Sequence, residues 1–175
     1  MVATISLLGG QYDGSMAVRT IGVISDTHGL LRDEAVSALE GSDLILHAGD
    51  VGDPDILERL ALIAPVSVVR GNTDYGDAAA AWPETDVVCL TSDGREVLAY
   101  LLHDIELLDL DPGAAGFSVV VYGHSHRPAV EQRDGVLYFN PGAAGHRRFT
   151  LPLTVGRLLV DEDGNVSGQI IDLEL

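Results

Sequence analysis

Short apolar runs alternate with amphipathic segments in the first half of the chain, and apolar runs separated by turn residues dominate the second half. β-branched runs at 21–25, 44–46 and 66–69 predict strands. Between them, segments 32–39 and 54–63 have the apolar spacing of helices. Later runs predict a strand at 118–121 and three strand pairs: 87–90 with 97–102, 129–132 with 136–139, and 154–160 with 166–171.

Turn signals separate the members of these pairs. They are Asp93-Gly94, Asp134-Gly135 and Asp163-Gly164. A β-α-β-α start followed by hairpins predicts a mixed α/β protein with two sheets. Residues 1–20 contain several glycines and little that can pack, so we expect an N-terminal extension that is open to disorder. One domain is expected from residue 21 to residue 175.

Composition restricts the classes of partner. The 175 residues carry a formal net charge of −17, and the ten basic residues are all Arg. Such a surface repels phosphate backbones, so bulk binding of nucleic acid is not expected. An anionic substrate would need a local positive charge to approach, and bound metal ions would supply it.

Other features of the composition concern location. The longest apolar runs are far shorter than a membrane span, and a basic stretch typical of a signal peptide is missing before the first Arg. The single Cys89 cannot form an intramolecular disulfide and is predicted to be buried in a strand. These features predict a cytoplasmic protein and leave a homo-oligomer open.

Residues that can bind metals follow the apolar runs. In open α/β sheets, ligands gather beyond the carboxyl ends of strands, so side chains distant in sequence can meet there. Two pairs are spaced i, i+2, which in extended backbone projects both side chains to the same side. The candidate ligands are Asp26, His28, Asp50, Asn72, His103, His124 and His126.

The chemistry of this set suggests which ions it would bind. Nitrogen and oxygen donors without thiolate suit Mn²⁺, which we prefer, and also Fe, Ni²⁺, Co²⁺ or Zn²⁺. Seven ligands are too many for one ion but suit two ions that share Asp50, an arrangement known for displacement at phosphorus. A mononuclear hydrolase acting on a non-phosphate substrate is the weaker alternative.

The same residues carry a family resemblance. The sequence resembles calcineurin-like metallophosphoesterases, and in particular the small YfcE-like phosphodiesterase branch. The motifs are Ser25-Asp-Thr-His-Gly29, His47-Ala-Gly-Asp50, Val69-Arg-Gly-Asn72, His103, Gly123-His124-x-His126 and Asn140-Pro-Gly142. The first five of these motifs, in the right order, are specific, whereas any one alone would be weak.

The resemblance implies a four-layer α/β/β/α sandwich with two mixed sheets and a dinuclear metal-dependent phosphoesterase. It implies that one ion is held by Asp26, His28, Asp50 and His126. It implies that the other is held by Asp50, Asn72, His103 and His124. Asn72 would also lie beside the substrate phosphate as a catalytic residue. Hydrolysis of a small phosphate ester would proceed by attack of a hydroxide that bridges the metals.

Departures from the family pattern refine this prediction. Thr73, Asp104 and Ala143 stand where relatives often have Cys, Gly and Ser. A His that serves as general acid in larger relatives is missing, which favours phosphodiesters or activated esters. The alternative function is a non-catalytic protein-interaction scaffold, like the retromer subunit of the same fold.

Some nearby residues have two interpretations. Arg147 and Arg148 are interpreted as a solvated charge pair rather than as ligands of the substrate phosphate. Asp74 is either a residue that orients a ligand or a turn residue. His47 is interpreted as a packing position.

Overall fold

Two five-stranded mixed sheets pack face to face in the computed structural model, which describes residues 19–91 and 95–173. The first sheet has the strand order β10-β9-β1-β2-β3. Its strands are β1 (Arg19–Ile24), β2 (Leu44–His47), β3 (Val66–Val68), β9 (Thr154–Val160) and β10 (Val166–Asp172). The second sheet has the order β4-β5-β6-β8-β7. Its strands are β4 (Thr85–Cys89), β5 (Leu98–Leu102), β6 (Phe117–Val121), β7 (Ala129–Arg133) and β8 (Val136–Asn140).

Helices are short and few among the described residues. They are α1 (Asp33–Leu39), α2 (Asp55–Ala61), α3 (Asp77–Ala80) and a one-turn 3₁₀ helix (Ile105–Leu107). Helices α1 and α2 connect β1, β2 and β3, which run parallel to one another. Both carry acidic residues in their first turns, where the helix dipole favours negative charge.

Three apolar clusters pack against the faces of the two sheets. The inner faces of the two sheets share one core, in which Val23 and Leu46 pack with Leu101 and Phe139. The outer face of the first sheet packs against α1 and α2. Among the described residues, the outer face of the second sheet is covered by Ile105 and its neighbours rather than by a long helix. The predicted α/β fold with two mixed sheets is therefore confirmed, and the layer over the second sheet is thin.

Most predicted elements are present with shifted ends. The strand pairs around Asp134-Gly135 and Asp163-Gly164 are antiparallel as predicted. The pairing of β4 with β5 is also antiparallel, whereas the predicted turn at Asp93-Gly94 and most of the predicted extension lie outside the described residues. Helix α3 was not predicted, because four residues are too few to show a helical period.

The predicted burial of Cys89 is wrong, because this side chain is exposed. Strand β4 lies at the edge of the second sheet and alternates between exposed and half-buried positions. Along the described part of the chain, every helix is too short or too polar to cross a membrane.

Candidate metal centre

The candidate ligands follow the carboxyl ends of parallel strands in both sheets. In the first sheet, Asp26 and His28 follow β1, Asp50 follows β2 and Asn72 follows β3. In the second sheet, β5 and β6 also run parallel, and His103, His124 and His126 follow them. Because parallel strands end at the same edge of a sheet, their connecting loops meet there. The two edges adjoin, and the structure brings all seven side chains into one cluster.

Five of these seven residues have a left-handed backbone conformation, which is uncommon for residues other than glycine. Their φ angles lie between 47° and 66°. They are Asp26, His28, Asp50, His124 and His126. Each such conformation costs on the order of 1 kcal/mol and is typical of functional sites, where the surrounding structure holds it in place.

One group of side chains surrounds the carboxylate of Asp26. Its Oδ1 lies 3.2 Å from His126 Nε2 and 3.7 Å from His28 Nε2. The two imidazole nitrogens face each other at 3.2 Å. A buried carboxylate oxygen and two imidazole nitrogens therefore converge on one small region.

A second group lies around His103. Its Nε2 is 3.4 Å from Asp50 Oδ2 and 3.1 Å from Asn72 Oδ1. His124 Nδ1 lies 3.0 Å from the same Asn72 oxygen. Asp50 Oδ2 is also 3.7 Å from His28 Nε2. The carboxylate of Asp50 thus lies between the two groups.

Neighbouring hydrogen bonds orient the donor atoms of these groups. Asp26 Oδ2 accepts hydrogen bonds from Ser25 Oγ at 2.7 Å and from the backbone N–H of His124 at 3.1 Å. His103 Nδ1 donates to the carbonyl oxygen of Ala48 at 2.7 Å, which orients Nε2 toward Asp50 and Asn72. The backbone N–H of Thr73 donates to Asp50 Oδ1 at 2.8 Å. The carboxylates and the His103 ring are therefore held in fixed orientations.

The site fits divalent cations by its own chemistry. Asp26 Oδ1 is buried, and among the described residues none donates a hydrogen bond to it. Leaving such an oxygen without a partner is costly, whereas a cation would satisfy it. The mixture of carboxylate, imidazole and amide donors suits Mn²⁺ and its neighbours in the first transition row.

Electrostatics within the cluster shift three pKa values. Burial alone would raise the pKa of Asp50, but hydrogen bonds from His103 and Thr73 outweigh burial and lower it. Burial alone would lower the pKa of His103, but its hydrogen bonds to Asp50 and Ala48 raise it. The pKa of His28 is lowered, because burial outweighs the attraction of Asp50 and Asp26.

Two glycines allow the strand-end loops to approach each other closely. Gly49 has φ +90°, and a Cβ there would lie 2.6 Å from His103 Nδ1. A Cβ at Gly71 would overlap Asp50 Oδ1 and the Asp50 backbone nitrogen. Neither position can therefore carry a larger side chain without displacing the candidate ligands.

Several supporting residues were not identified from the sequence. Ser25 orients Asp26, and Asn140 Nδ2 donates to the carbonyl oxygen of Gly123 at 2.8 Å. Both belong to the quoted motifs, which gave a signal for their importance without a role. Asp74 orients the loops, because its two carboxylate oxygens accept backbone hydrogen bonds from Gly52 at 2.9 Å and Gly71 at 2.8 Å.

Two charged residues at the rim, Arg148 and Asp104, contact histidines of the cluster. Arg148 Nη2 donates to His28 Nε2 at 3.3 Å, while Arg147 Nη1 donates to the nearby carbonyl oxygen of Leu151 at 3.5 Å. Asp104 Oδ2 lies 3.8 Å from His124 Nε2. The interpretation of the two arginines as a solvated pair is therefore incomplete, because Arg148 reaches the cluster.

Comparison with known proteins gives the family of the chain. Residues 20–163 match the calcineurin-like phosphoesterase superfamily domain. A probable metallophosphoesterase from Methanothermobacter thermautotrophicus is 32% identical over 139 residues, which cover 75% of this chain and 81% of the relative. The probable metallophosphoesterase YsnB from Bacillus subtilis is 33% identical over 130 residues, which cover 69% of this chain and 72% of YsnB. The chain belongs to the calcineurin-like phosphoesterase superfamily.

Solved structures share the fold. Yfce, a phosphoesterase from E. coli, superposes with a TM-score of 0.61 at 24% identity, covering 89% of this chain and 100% of Yfce. Vps29 from Entamoeba histolytica in complex with Zn²⁺ gives a TM-score of 0.67 at 19% identity, covering 89% of this chain and 99% of Vps29. At these identities the likeness concerns the fold alone.

Proposed function

We propose that this protein is a dinuclear metal-dependent phosphoesterase that hydrolyses a small phosphate ester, with a preference for phosphodiesters. The observation that carries the proposal is the pair of ligand groups that share Asp50. One ion would be held by Asp26, His28, Asp50 and His126. The other would be held by Asp50, Asn72, His103 and His124. Mn²⁺ is the preferred ion, and Fe, Ni²⁺, Co²⁺ and Zn²⁺ also suit these ligands.

The bound ions would supply Lewis-acid charge and a water molecule of lowered pKa for attack at phosphorus. The residues of the chain would position the substrate. Asn72 lies at the second ligand group and would contact the substrate phosphate through its side-chain amide. Arg148, whose guanidinium reaches His28, would neutralise a non-bridging phosphate oxygen by a charge-assisted hydrogen bond.

The preference for activated esters and diesters over simple alkyl monoesters follows from the leaving group. The sequence offers no general acid in the position that larger relatives use, so protonation of the leaving group would fall to water. Activated esters and diesters with good leaving groups then react faster than simple alkyl monoesters.

The experiment is hydrolysis of bis-p-nitrophenyl phosphate and p-nitrophenyl phosphate by purified protein with Mn²⁺ and with EDTA. We expect Mn²⁺-dependent release of nitrophenol, faster from the diester. Asp50→Asn should abolish turnover, and Asp163→Asn, an exposed change in a hairpin turn, should not alter it. Strong preference for the monoester would contradict the diester proposal, and no metal-dependent turnover of either compound would contradict the enzyme.

The second candidate function is a protein-interaction scaffold of the same fold. Similarity of the fold to Vps29 favours it, whereas the presence of all seven candidate ligands favours the enzyme. A scaffold would bind a partner protein while showing no metal-dependent hydrolysis. The single Cys89 agrees with a cytoplasmic location, which stays a prediction together with the absence of bulk nucleic-acid binding.

A further inference from the structure

A cavity of about 660 Å³ opens directly beside the second ligand group. Asn72 and His103 form part of its wall, so the cavity is continuous with the proposed reaction centre. Its size is that of a site for a small organic group rather than for phosphate alone. The other lining residues, such as Tyr100 and Leu107, are not candidate ligands, so the cavity extends beyond the ligand group.

Four apolar or aromatic side chains form part of the wall: Tyr75, Tyr100, Leu102 and Leu107. Tyr100 and Leu102 are buried and belong to the cluster on the outer face of the second sheet. At the mouth, Tyr75 and Leu107 are 84% and 75% exposed. Large apolar side chains that stay exposed beside a polar centre are typical of a binding surface.

Charges around the cavity are negative or already compensated. Arg70, the basic residue of the lining, forms an ion pair with Glu84 at 2.5 Å. The carboxylate of Asp74 accepts two backbone hydrogen bonds. Asp104 and the exposed Asp109 add further negative charge. These carboxylates would repel a substituent that carries a carboxylate or a second phosphate, whereas the bound ions would attract the phosphate group being hydrolysed.

We propose that this cavity binds the second ester substituent of a phosphodiester, and that the substituent is an organic group without negative charge. The inference rests on the proposed phosphodiesterase function and specifies its substrate class. Within the cavity, Tyr75 and Leu107 contact the substituent through its apolar surface. Asp109 contributes to the rejection of anionic substituents. Nucleotides with several phosphates and nucleic-acid strands fall outside this class.

The test compares two matched ligands that cannot be hydrolysed, benzyl(methyl)phosphinate and 4-carboxybenzyl(methyl)phosphinate. Their binding to the Mn²⁺-loaded protein is measured by calorimetry. We expect the benzyl compound to bind about tenfold more tightly, since a tenfold ratio corresponds to ~1.4 kcal/mol of repulsion. Equal affinity, or tighter binding of the carboxylate, would overturn the proposal.

Variants of exposed residues test the position of the substituent. Leu107→Ala should weaken binding of the benzyl compound about threefold, while Leu62→Ala, a leucine that is 88% exposed and lies outside the cavity lining, should leave it unchanged. Asp109→Asn should reduce the ratio of the affinities for the two phosphinates, and Asp163→Asn should leave that ratio unchanged. If Leu107→Ala has no more effect than Leu62→Ala, the cavity is not the binding site.

Hydrolysis separates failure of this inference from failure of the proposed function. The substrates are p-nitrophenyl benzyl phosphate and p-nitrophenyl 4-carboxybenzyl phosphate, assayed with Mn²⁺. Faster turnover of the benzyl diester supports the inference. Equal turnover of both overturns the inference and leaves the phosphodiesterase in place, whereas turnover of neither overturns the proposed function and with it this inference.

Discussion

The buried His47 makes folding stability depend on pH in a way that can be calculated. Complete burial lowers the pKa of His47 from 6.5 to about 4, although Asp74 and Asp26 oppose this shift. Thr27 Oγ1 donates to the carbonyl oxygen of Val51 at 2.9 Å, so we assign His47 Nε2–H as the donor to Thr27 Oγ1 at 3.0 Å. His47 Nδ1 is then buried, with no hydrogen-bond partner in the part of the chain that the structure describes. A proton added there would have no acceptor.

The sign of the effect follows from proton uptake. In the unfolded chain His47 gains a proton near pH 6.5, whereas in the folded protein it stays neutral down to about pH 4. Stability that is fully present above pH 6.5 is therefore lost as pH falls between these values. At ~1.4 kcal/mol per pH unit, the gap between 6.5 and about 4 corresponds to a loss of about 3 kcal/mol.

Urea unfolding at a series of pH values, in EDTA, measures this dependence. The control is His146→Gln, because His146 is exposed and should leave the pH profile unchanged. His47→Gln should be less stable than the unmodified protein at pH 7. Between pH 6.5 and 4, its free energy of unfolding should fall by about 3 kcal/mol less than that of the unmodified protein. An identical decline in His47→Gln and in the unmodified protein would refute the reasoning.

Two further changes test the close approach of the loops and the role of the rim arginine. Gly71→Ala should destabilise the fold by about 1–3 kcal/mol and abolish Mn²⁺ binding, because its Cβ would displace Asp50. The control is Gly113→Ala, whose Cβ would have its nearest contact 3.5 Å away. This control should change stability by less than about 0.5 kcal/mol. Mn²⁺ binding that survives Gly71→Ala would contradict the geometry. Arg148→Ala should raise KM for a phosphodiester about tenfold in steady-state assays, as expected for loss of one charge-assisted hydrogen bond. Arg147→Ala should leave KM unchanged. Equal effects of the two substitutions would show that Arg148 does not bind the substrate phosphate.

The sequence was sufficient to predict which side chains gather at the candidate centre. Apolar runs mark where strands end, and parallel strands bring their ends to one edge, so the positions of Asp26, Asp50 and Asn72 followed from local patterns. Asp104 follows His103 and departs from the family pattern at this position. The structure places His103 Nε2 at 3.4 Å from Asp50 Oδ2.

Features that depend on long-range packing were not accessible from the sequence. Arg148 reaches His28 across 120 residues of chain, and no local pattern signals this contact. The cavity likewise combines residues from separate loops of both sheets. Cys89 was placed wrongly because an apolar run does not show whether its strand lies at the edge of a sheet.

The number of metal ions bound per chain tests the central claim most directly. After equilibrium dialysis against Mn²⁺, elemental analysis of the unmodified protein and of Asp163→Asn should give two ions per chain. Asp50→Asn should hold fewer than two, because Asp50 lies between the two ligand groups. One ion or none in the unmodified protein, or two ions retained in Asp50→Asn, would contradict a dinuclear centre that shares this carboxylate.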